Sequence, residues 1–206
     1  MLTLYYARQT CALASHIALE TAGAHYEAVR IDFGKEEQRS AEYLRINPKG
    51  RVPALVTERG ILTETPAILQ FIAQIHPQAR LAPLDDAFEL ARMNAFNSYL
   101  CSTVHVAHAH RRRGYRWADD PAALEAMKKK VPQTMGDCFA LIEREYFVGP
   151  WVLGVNYSVS DMYLFTLADW LEGDGVDPTR FPKVHAHRER MRADPAVQRV
   201  MAAQTA

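Results

Sequence analysis

The side chain best placed for chemistry is Cys11, which follows a predicted strand and loop and lies in the first turn of a predicted helix. The partial positive charge at a helix N-terminus favours the thiolate over the thiol, and the thiolate is the nucleophile. A buried structural cysteine fits this position equally well, because free cysteine is among the most buried residue types. Cys101 and Cys138 fall within predicted helices, where a structural role is favoured.

A second candidate site surrounds Val52 and Pro53, in the stretch NPKGRVPALVTERGILTET over residues 47–65. Proline cannot donate to a sheet ladder, so these two residues are expected where a strand begins. We predict a cis bond between them, which would leave the backbone N–H and C=O groups of Val52 outside the sheet. Such groups can pair with an extended peptide as an added strand does.

The end of the same stretch predicts the start of a helix, with Thr65 as N-cap and Pro66 at the first helical position. The free N–H groups of such an N-terminus suit a carboxylate, and Glu64 beside them can hold an ammonium group. One short stretch therefore offers partners for a backbone, a carboxylate and an amine, which together describe a small peptide. Taken separately, these features are also common structural ones.

The elements that must position these residues form two groups. Up to residue 75 the predicted order is β-α-β-α-β-β-α, which resembles the thioredoxin fold, with the first two strands parallel across a right-handed crossover. We therefore predict an α/β thioredoxin-like N-terminal domain over residues 1–78. Its predicted strands are 2–6, 26–32, 54–57 and 61–63, and its predicted helices are 11–22 and 66–75, with a short helix within 34–47.

The pattern after a proline-containing linker over residues 76–86 contains helices only, so we predict an all-α C-terminal helical domain over residues 87–206. Ser158 and Asp161 outline a capping box at the start of a helix that is apolar nearly all round. A long helix over 87–112 carries a stripe of small or polar side chains, which is expected to line a cleft or an interface because a solvated face usually carries Lys and Glu. This stripe consists of Asn94, Ser98, Cys101, His105 and His108.

Composition and charge exclude several classes of function. The 206 residues include 24 basic and 24 acidic side chains, so the net charge of zero gives no electrostatic footprint for nucleic acid or an anionic membrane. No stretch approaches the ~20 apolar residues of a membrane span, and the apolar run over 1–7 is too short for a signal peptide. Three widely spaced cysteines argue against a disulfide framework and for a reducing, cytoplasmic location. His105, His108 and His110 do not converge on one point, so no metal is expected.

Four stretches resemble the glutathione transferase superfamily: LYYARQTCALASHIAL, NPKGRVPAL, the Glu64-Thr65 pair and SVSDMYLF. The resemblance covers nearly the whole chain, and Cys11 together with His105 makes it most like the bacterial beta class. It implies a cytosolic detoxification enzyme that uses glutathione as co-substrate and forms a homodimer. The helical domain of such an enzyme binds the electrophile. Cys11 would face the glutathione sulfur, and His105 would lie above it and share a proton, since the histidine pKa lies near neutral.

The same resemblance implies how glutathione is held. Lys35 would reach its glycine carboxylate, while Val52 and Pro53 hold its backbone. Glu64 and Thr65 would hold its γ-glutamyl end. The late SVSDMYLF stretch resembles a helix-capping signature of the family, whose role is in folding.

Three further residues belong to the candidate site. Thr10 occupies the position at which other transferase classes place a serine whose hydroxyl stabilises the glutathione thiolate, although it can simply cap the helix. Arg8 and Gln9 replace a Pro-Gly pair that the family often carries, so the mouth of the site is more polar. Arg8 can strengthen a thiolate or an anionic co-substrate. Arg8, together with Ser98 on the polar stripe of the long helix, is assigned to the second-substrate pocket.

These residues leave two classes of function open. The first is an enzyme that adds the glutathione thiol to small electrophiles, with thiol–disulfide exchange or peroxidase activity through a low-pKa Cys11. The second is a non-catalytic binding or regulatory module of the same fold. The presence of Cys11, Glu64 and Thr65 together favours the enzyme, because a scaffold need not keep a peptide site. The sequence contains no motif that identifies the electrophile.

Overall fold

A four-stranded mixed sheet opens the computed structural model, which describes residues 1–205. The strands are β1 (Leu2–Tyr6), β2 (Tyr26–Arg30), β3 (Ala54–Thr57) and β4 (Gly60–Thr63), and the helices of this part are α1 (Ala12–Thr21), α2 (Ala41–Ile46) and α3 (Thr65–Ile75). The strands lie in the order β2-β1-β3-β4, with β1 parallel to β2 and antiparallel to β3. This is the predicted order of elements, and the prediction of a thioredoxin-like sheet is confirmed.

The rest of the chain is helical, as predicted. Its helices are α4 (Ala87–Tyr99), α5 (His105–Arg113), α6 (Pro121–Leu141), α7 (Val159–Ala168), α8 (Pro182–Ala193) and α9 (Pro195–Thr205). The connecting segment is packed onto this part, because Leu81 is buried and its carbonyl accepts a hydrogen bond from the Val159 N–H at 2.9 Å. Within residues 1–205, none of the helices is both long and apolar enough to cross a membrane.

Helix α1 is buried on all sides because it lies between the sheet and the helical part. It packs against β1, α3, α7 and α9, and Ile17, Ala18 and Leu19 are fully buried. All ten residues of α7 are buried as well, which agrees with the central position predicted for this helix. The start of α1, and Cys11 with it, is thereby fixed at the boundary between the two parts.

The predicted capping box at the start of α7 is present. The Asp161 carboxylate accepts hydrogen bonds from the Ser158 N–H at 2.8 Å and the Ser158 hydroxyl at 3.1 Å. It also accepts one from the Val152 N–H at 2.8 Å and lies 3.1 Å from Nε2 of His187. Asp161 is fully buried, so this carboxylate joins three segments in the interior and its role is in folding.

The long helix predicted over 87–112 is interrupted by a π-helical turn, Leu100–Val104, between α4 and α5. A π turn inserts an extra residue and rotates everything that follows it relative to a regular helix. The predicted polar stripe is therefore divided, and Ser98, which precedes the turn, is exposed. The sequence prediction assumed a regular helix of 3.6 residues per turn, so it could not include this rotation.

The start of α3 differs by one residue from the prediction. Thr65 is already the first helical residue, and Glu64, at φ 72°, occupies the N-cap position without a side-chain capping bond. Pro66 lies in the first turn, where its missing N–H costs nothing. Thr65 is therefore not the N-cap, although its N–H remains one of the free donors at this helix N-terminus.

Candidate active site

An open cleft of about 1620 Å³ brings most of the predicted site residues together. Its walls come from the β1–α1 loop, the loop before β3, the start of α3, helix α5 and the segment after α5. Lys35 and Ser98 do not line it. The predicted residues that line it are Arg8, Thr10, Cys11, Val52, Pro53, Glu64, Thr65 and His105.

Cys11 lies at the N-terminus of α1 and its side chain is buried. Its thiol donates to the Val52 carbonyl, with Sγ and O 3.7 Å apart. Burial raises the pKa of the Cys11 thiol, and the Thr65 hydroxyl and the charge of Arg113 offset this only in part. The expectation of a low-pKa thiolate is therefore wrong in this structure, because desolvation of the sulfur outweighs the hydrogen bonds and the positive charge that lower its pKa.

The Thr10 hydroxyl is occupied by local hydrogen bonds. It donates to the Ala7 carbonyl at 2.7 Å and accepts from the Ala12 N–H at 3.4 Å. These bonds fit the helix-capping alternative, and the hydroxyl proton is not free for a substrate in this conformation. Tyr6 is buried and its ring packs against His16.

The Val52-Pro53 peptide bond is cis, as predicted. Two hydrogen bonds fix the position of Arg51, the residue before Val52. Its carbonyl accepts one from Tyr43 Oη at 2.7 Å and one from Asn47 Nδ2 at 2.6 Å. Both donors are buried. This anchors the Val52 backbone at the edge of the cleft beside Cys11.

Lys49 is a cleft residue that the sequence reasoning did not select. Its ammonium group donates to Glu64 Oε1 at 2.5 Å and to Thr63 Oγ1 at 2.7 Å. Lys35, the predicted ligand, does not line the cleft; 76% of its side chain is exposed, and its acidic partner is Asp32 at 3.9 Å. The signal for Lys49 was available, because it lies within the NPKGRVPAL stretch.

His105 opens α5, directly after the π turn, and lies in the cleft wall. Burial lowers the pKa of His105 to about 3, and the charges of Arg113, His108 and Arg116 act in the same direction. Its ring meets Trp170 edge-on, with centroids 5.1 Å apart. The predicted proton sharing near neutral pH is therefore wrong, because the imidazole stays neutral there.

A buried acid was also missed. Asp174 has no exposed side-chain surface, lies 2.7 Å from Nδ1 of His108 and accepts from Nη1 of Arg111 at 3.4 Å. The His108 ring stacks on Trp170 at 4.1 Å between centroids. His108 and Arg111 both line the cleft, so Asp174 orients two cleft residues from behind. Arg112 and Arg113, which follow Arg111 at the end of α5, line the cleft as well.

The three cysteines, Cys11, Cys101 and Cys138, are free. In the part of the chain that the structure describes, no group of three or more His, Cys, Asp or Glu side chains is arranged to hold a metal ion.

Comparison with known proteins agrees with this geometry. Residues 1–74 match the family model described as "Glutathione S-transferase, N-terminal domain". The curated protein glutathione S-transferase GstA of Escherichia coli O157:H7 is 28% identical over 98% of this chain and 98% of its own length.

Solved structures extend the agreement to the whole chain. A glutathione transferase homologue from Sulfitobacter, with bound glutathione, has a TM-score of 0.96 at 46% identity over 98% of both chains. A bacterial beta class glutathione S-transferase from Sphingomonas chungbukensis has a TM-score of 0.85 at 31% identity, also over 98% of both chains. The resemblance seen in the sequence is confirmed, and this chain belongs to the glutathione transferase superfamily of enzymes.

Proposed function

We propose that this enzyme binds glutathione in the cleft and adds its thiol to a small electrophile. One observation carries the proposal: the Val52 backbone, the Glu64 carboxylate, the N-terminus of α3 at Thr65 and the Cys11 thiol all line one cleft. They offer partners for the backbone, amine, carboxylate and sulfur of a γ-glutamyl tripeptide.

Binding starts from the two ends of glutathione. The γ-glutamyl ammonium group would pair with Glu64, and its carboxylate would accept from the free N–H groups at the start of α3 and from Lys49. At the glycine end, Arg39 lines the cleft and is a better-placed cation than Lys35. The cysteinyl backbone would pair with Val52, for which no hydrogen bond to the N–H is found within residues 1–205.

The sulfur would be activated by hydrogen bonds. Because the Cys11 pKa is raised, Cys11 is a thiol at neutral pH, and its S–H donates to the Val52 carbonyl. When the cysteinyl N–H of glutathione takes that carbonyl, the Cys11 S–H becomes free to donate to the glutathione sulfur. A neutral thiol there avoids placing two sulfur anions in one site. The Arg113 charge and the α1 N-terminus add to the stabilisation of the thiolate.

A second activity of the same site is thiol–disulfide exchange or peroxidase chemistry through Cys11. Cys11 would attack a disulfide as the thiolate and form a mixed disulfide with glutathione. The raised pKa makes this step slow at neutral pH, so it is proposed as secondary to conjugation.

We also propose a C2 homodimer in which α3 and the start of α4 pack across the two-fold axis. Exposed apolar side chains support this: Phe88, in the first turn of α4, is 72% exposed, and Ile75 at the end of α3 and Leu84 between the two helices are exposed as well. Apolar side chains grouped at one place on a surface are typical of an interface. Residues 1–78 and 87–206 would be the glutathione-binding and electrophile-binding domains of each cytoplasmic subunit, with a role in detoxification.

The test is calorimetric titration of glutathione into wild type and Glu64→Ala, beside a conjugation assay over a panel of electrophiles. Loss of a charge-assisted contact is expected to weaken binding by about 1.5–3 kcal/mol. Glu125→Ala is the matched control, because Glu125 is an exposed glutamate on α6 that does not line the cleft. Unchanged affinity in Glu64→Ala would mean that the γ-glutamyl end is held elsewhere. Glutathione binding without turnover of any electrophile would favour the non-catalytic module.

A further inference from the structure

The cleft concentrates positive charge, although the chain as a whole is neutral. Of the residues that the structure describes, eight of the chain's 24 Lys and Arg residues line the cleft, but only two of its 24 Asp and Glu residues do. The two acids are Glu64 and Asp169, and the eight cations are Arg8, Arg39, Lys49, Arg51, Arg111, Arg112, Arg113 and Arg116. The excess raises the question of which anions balance it.

Three of these cations already face carboxylates. Lys49 pairs with Glu64, Arg39 lies 3.8 Å from Glu36, and Arg111 bonds to buried Asp174. The first two lie in the part of the cleft assigned above to glutathione.

The other five have no such partner. In residues 1–205, no Asp or Glu oxygen lies within 4 Å of the guanidinium groups of Arg8, Arg51, Arg112, Arg113 and Arg116. Arg113 is half-buried at the end of α5. Burial lowers the pKa of Arg113, the charges of Arg116 and Arg51 lower it further, and the charge that Cys11 carries when ionised raises it. The Arg113 guanidinium group therefore interacts electrostatically both with the neighbouring arginines and with the Cys11 sulfur at the start of α1.

A half-buried guanidinium group surrounded by like charges is unfavourable unless an anion joins it. Glutathione brings two carboxylates, but Arg39 and the α3 N-terminus with Lys49 are already placed for them. The unpaired arginines around Arg113 are left for the second substrate. The cleft lining also includes His105 and Trp170, whose rings meet edge-on with centroids 5.1 Å apart and form an aromatic wall.

We propose that the second substrate of this enzyme is a small aromatic electrophile that carries a carboxylate, bound by Arg113 and Arg116 in front of the aromatic wall. The proposal rests on the proposed conjugation and specifies its substrate class. In the reaction, the glutathione thiolate forms a C–S bond at the activated ring carbon and the leaving group departs with its bonding electrons. The thiol proton goes to solvent, so no oxidant or reductant is needed.

The direct test compares a chlorodinitrobenzoate with its neutral methyl ester. The two compounds share the ring and the chloride leaving group, and their rates without enzyme correct for intrinsic reactivity. Wild type is expected to prefer the carboxylate in kcat/KM, and Arg113→Gln to reduce this preference about tenfold, as loss of a charge-assisted contact implies. Higher salt should also reduce the preference.

Control variants separate the arginine cluster from general effects. Arg116→Gln, at an exposed position, should reduce the preference without a folding defect, should Arg113→Gln prove unstable. Arg45→Gln is the matched control, because Arg45 is exposed, lies outside the cleft and has no acidic partner in residues 1–205. The proposal would be overturned if both Arg113→Gln and Arg116→Gln kept the wild-type preference for the carboxylate over the ester. It would also be overturned if these variants raised only the KM for glutathione.

A binding measurement keeps the proposal independent of turnover. Dinitrobenzoate, which lacks the leaving group, and its methyl ester are titrated into the glutathione-loaded protein. Tighter binding of the carboxylate that is lost in Arg113→Gln supports the anion site even in a protein that conjugates neither compound, in which case only the proposed conjugation fails. Equal binding of acid and ester overturns the anion site, while conjugation of the ester would leave the proposed function intact.

Discussion

Glutathionylation of Cys11 by oxidised glutathione is predicted to accelerate steeply with pH. The step requires the thiolate, which attacks one sulfur of the disulfide, forms the mixed disulfide and releases the other glutathione as a thiolate. Burial raises the pKa of the Cys11 thiol above its ordinary range, and the Thr65 hydroxyl and the charge of Arg113 lower it by less. Below the pKa, each pH unit raises the thiolate fraction about tenfold, so the initial rate should increase roughly a hundredfold between about pH 6.5 and 8.5.

The assay is intact-mass spectrometry of acid-quenched time points, which detects the addition of one glutathione. It is run in a background with Cys101→Ala and Cys138→Ala, so that Cys11 is the remaining thiol. Cys11→Ala in that background should take up no glutathione. Arg113→Gln should slow the reaction at each pH, because the charge of Arg113 lowers the Cys11 pKa.

A rate that stays constant from about pH 6.5 to 8.5 would refute the reasoning. It would show that the thiolate is already formed at the lower pH, and the helix dipole would then outweigh burial. Cys11 would in that case be the anion, and the hydrogen bond from a neutral Cys11 thiol to the glutathione sulfur would have to be abandoned.

Three further predictions concern stability, pH and assembly. Asp161→Ala should lower the free energy of unfolding in urea by about 3–5 kcal/mol, since it leaves buried donors unpaired, whereas Asp120→Ala, at the exposed N-cap of α6, should cost about 1 kcal/mol. Because burial lowers the pKa of His105 to about 3, the unfolded chain binds more protons, so stability should fall as pH drops from about 6.5 towards 3, and less so in His105→Gln. Equal pH slopes in both proteins would contradict this. Phe88→Asp should shift light scattering from a dimer towards the 23.3 kDa monomer, and a wild type already at that mass would remove the proposed interface.

The sequence was sufficient for features that depend on local chemistry. The order of strands and helices follows from periodicity, and the Ser158 and Asp161 box follows from residue type at fixed spacing. The cis bond before Pro53 and the gathering of Cys11 with Glu64 at one cleft are present in the structure. The capping box and the cis bond are encoded within a few residues, whereas the meeting of Cys11 with Glu64 follows from the order of strands and helices in the N-terminal part.

The features that the sequence did not predict depend on rotation and burial. The π turn at Leu100–Val104 changes which residues of the long helix face the cleft, so Ser98 lies outside and His105 inside. The sign of the Cys11 pKa shift was wrong because the helix dipole is visible in sequence, whereas desolvation depends on packing from distant segments. Lys35 and Lys49 could not be separated without knowing which way each side chain points.

Net charge was the least informative of the sequence properties for this site. A formal charge of zero excludes a general attraction to polyanions, but it does not describe how charge is distributed. Asp174 pairs with Arg111 from the interior and does not line the cleft, while Arg113 and Arg116, which do line it, have no acidic partner within residues 1–205. Most of the acidic side chains that make the net charge zero lie outside the cleft lining. The electrostatic potential inside the cleft therefore depends on which charged residues the fold brings there. A neutral protein can in this way select an anionic small molecule, because focusing inside a low-dielectric cleft acts on local charge and not on the total.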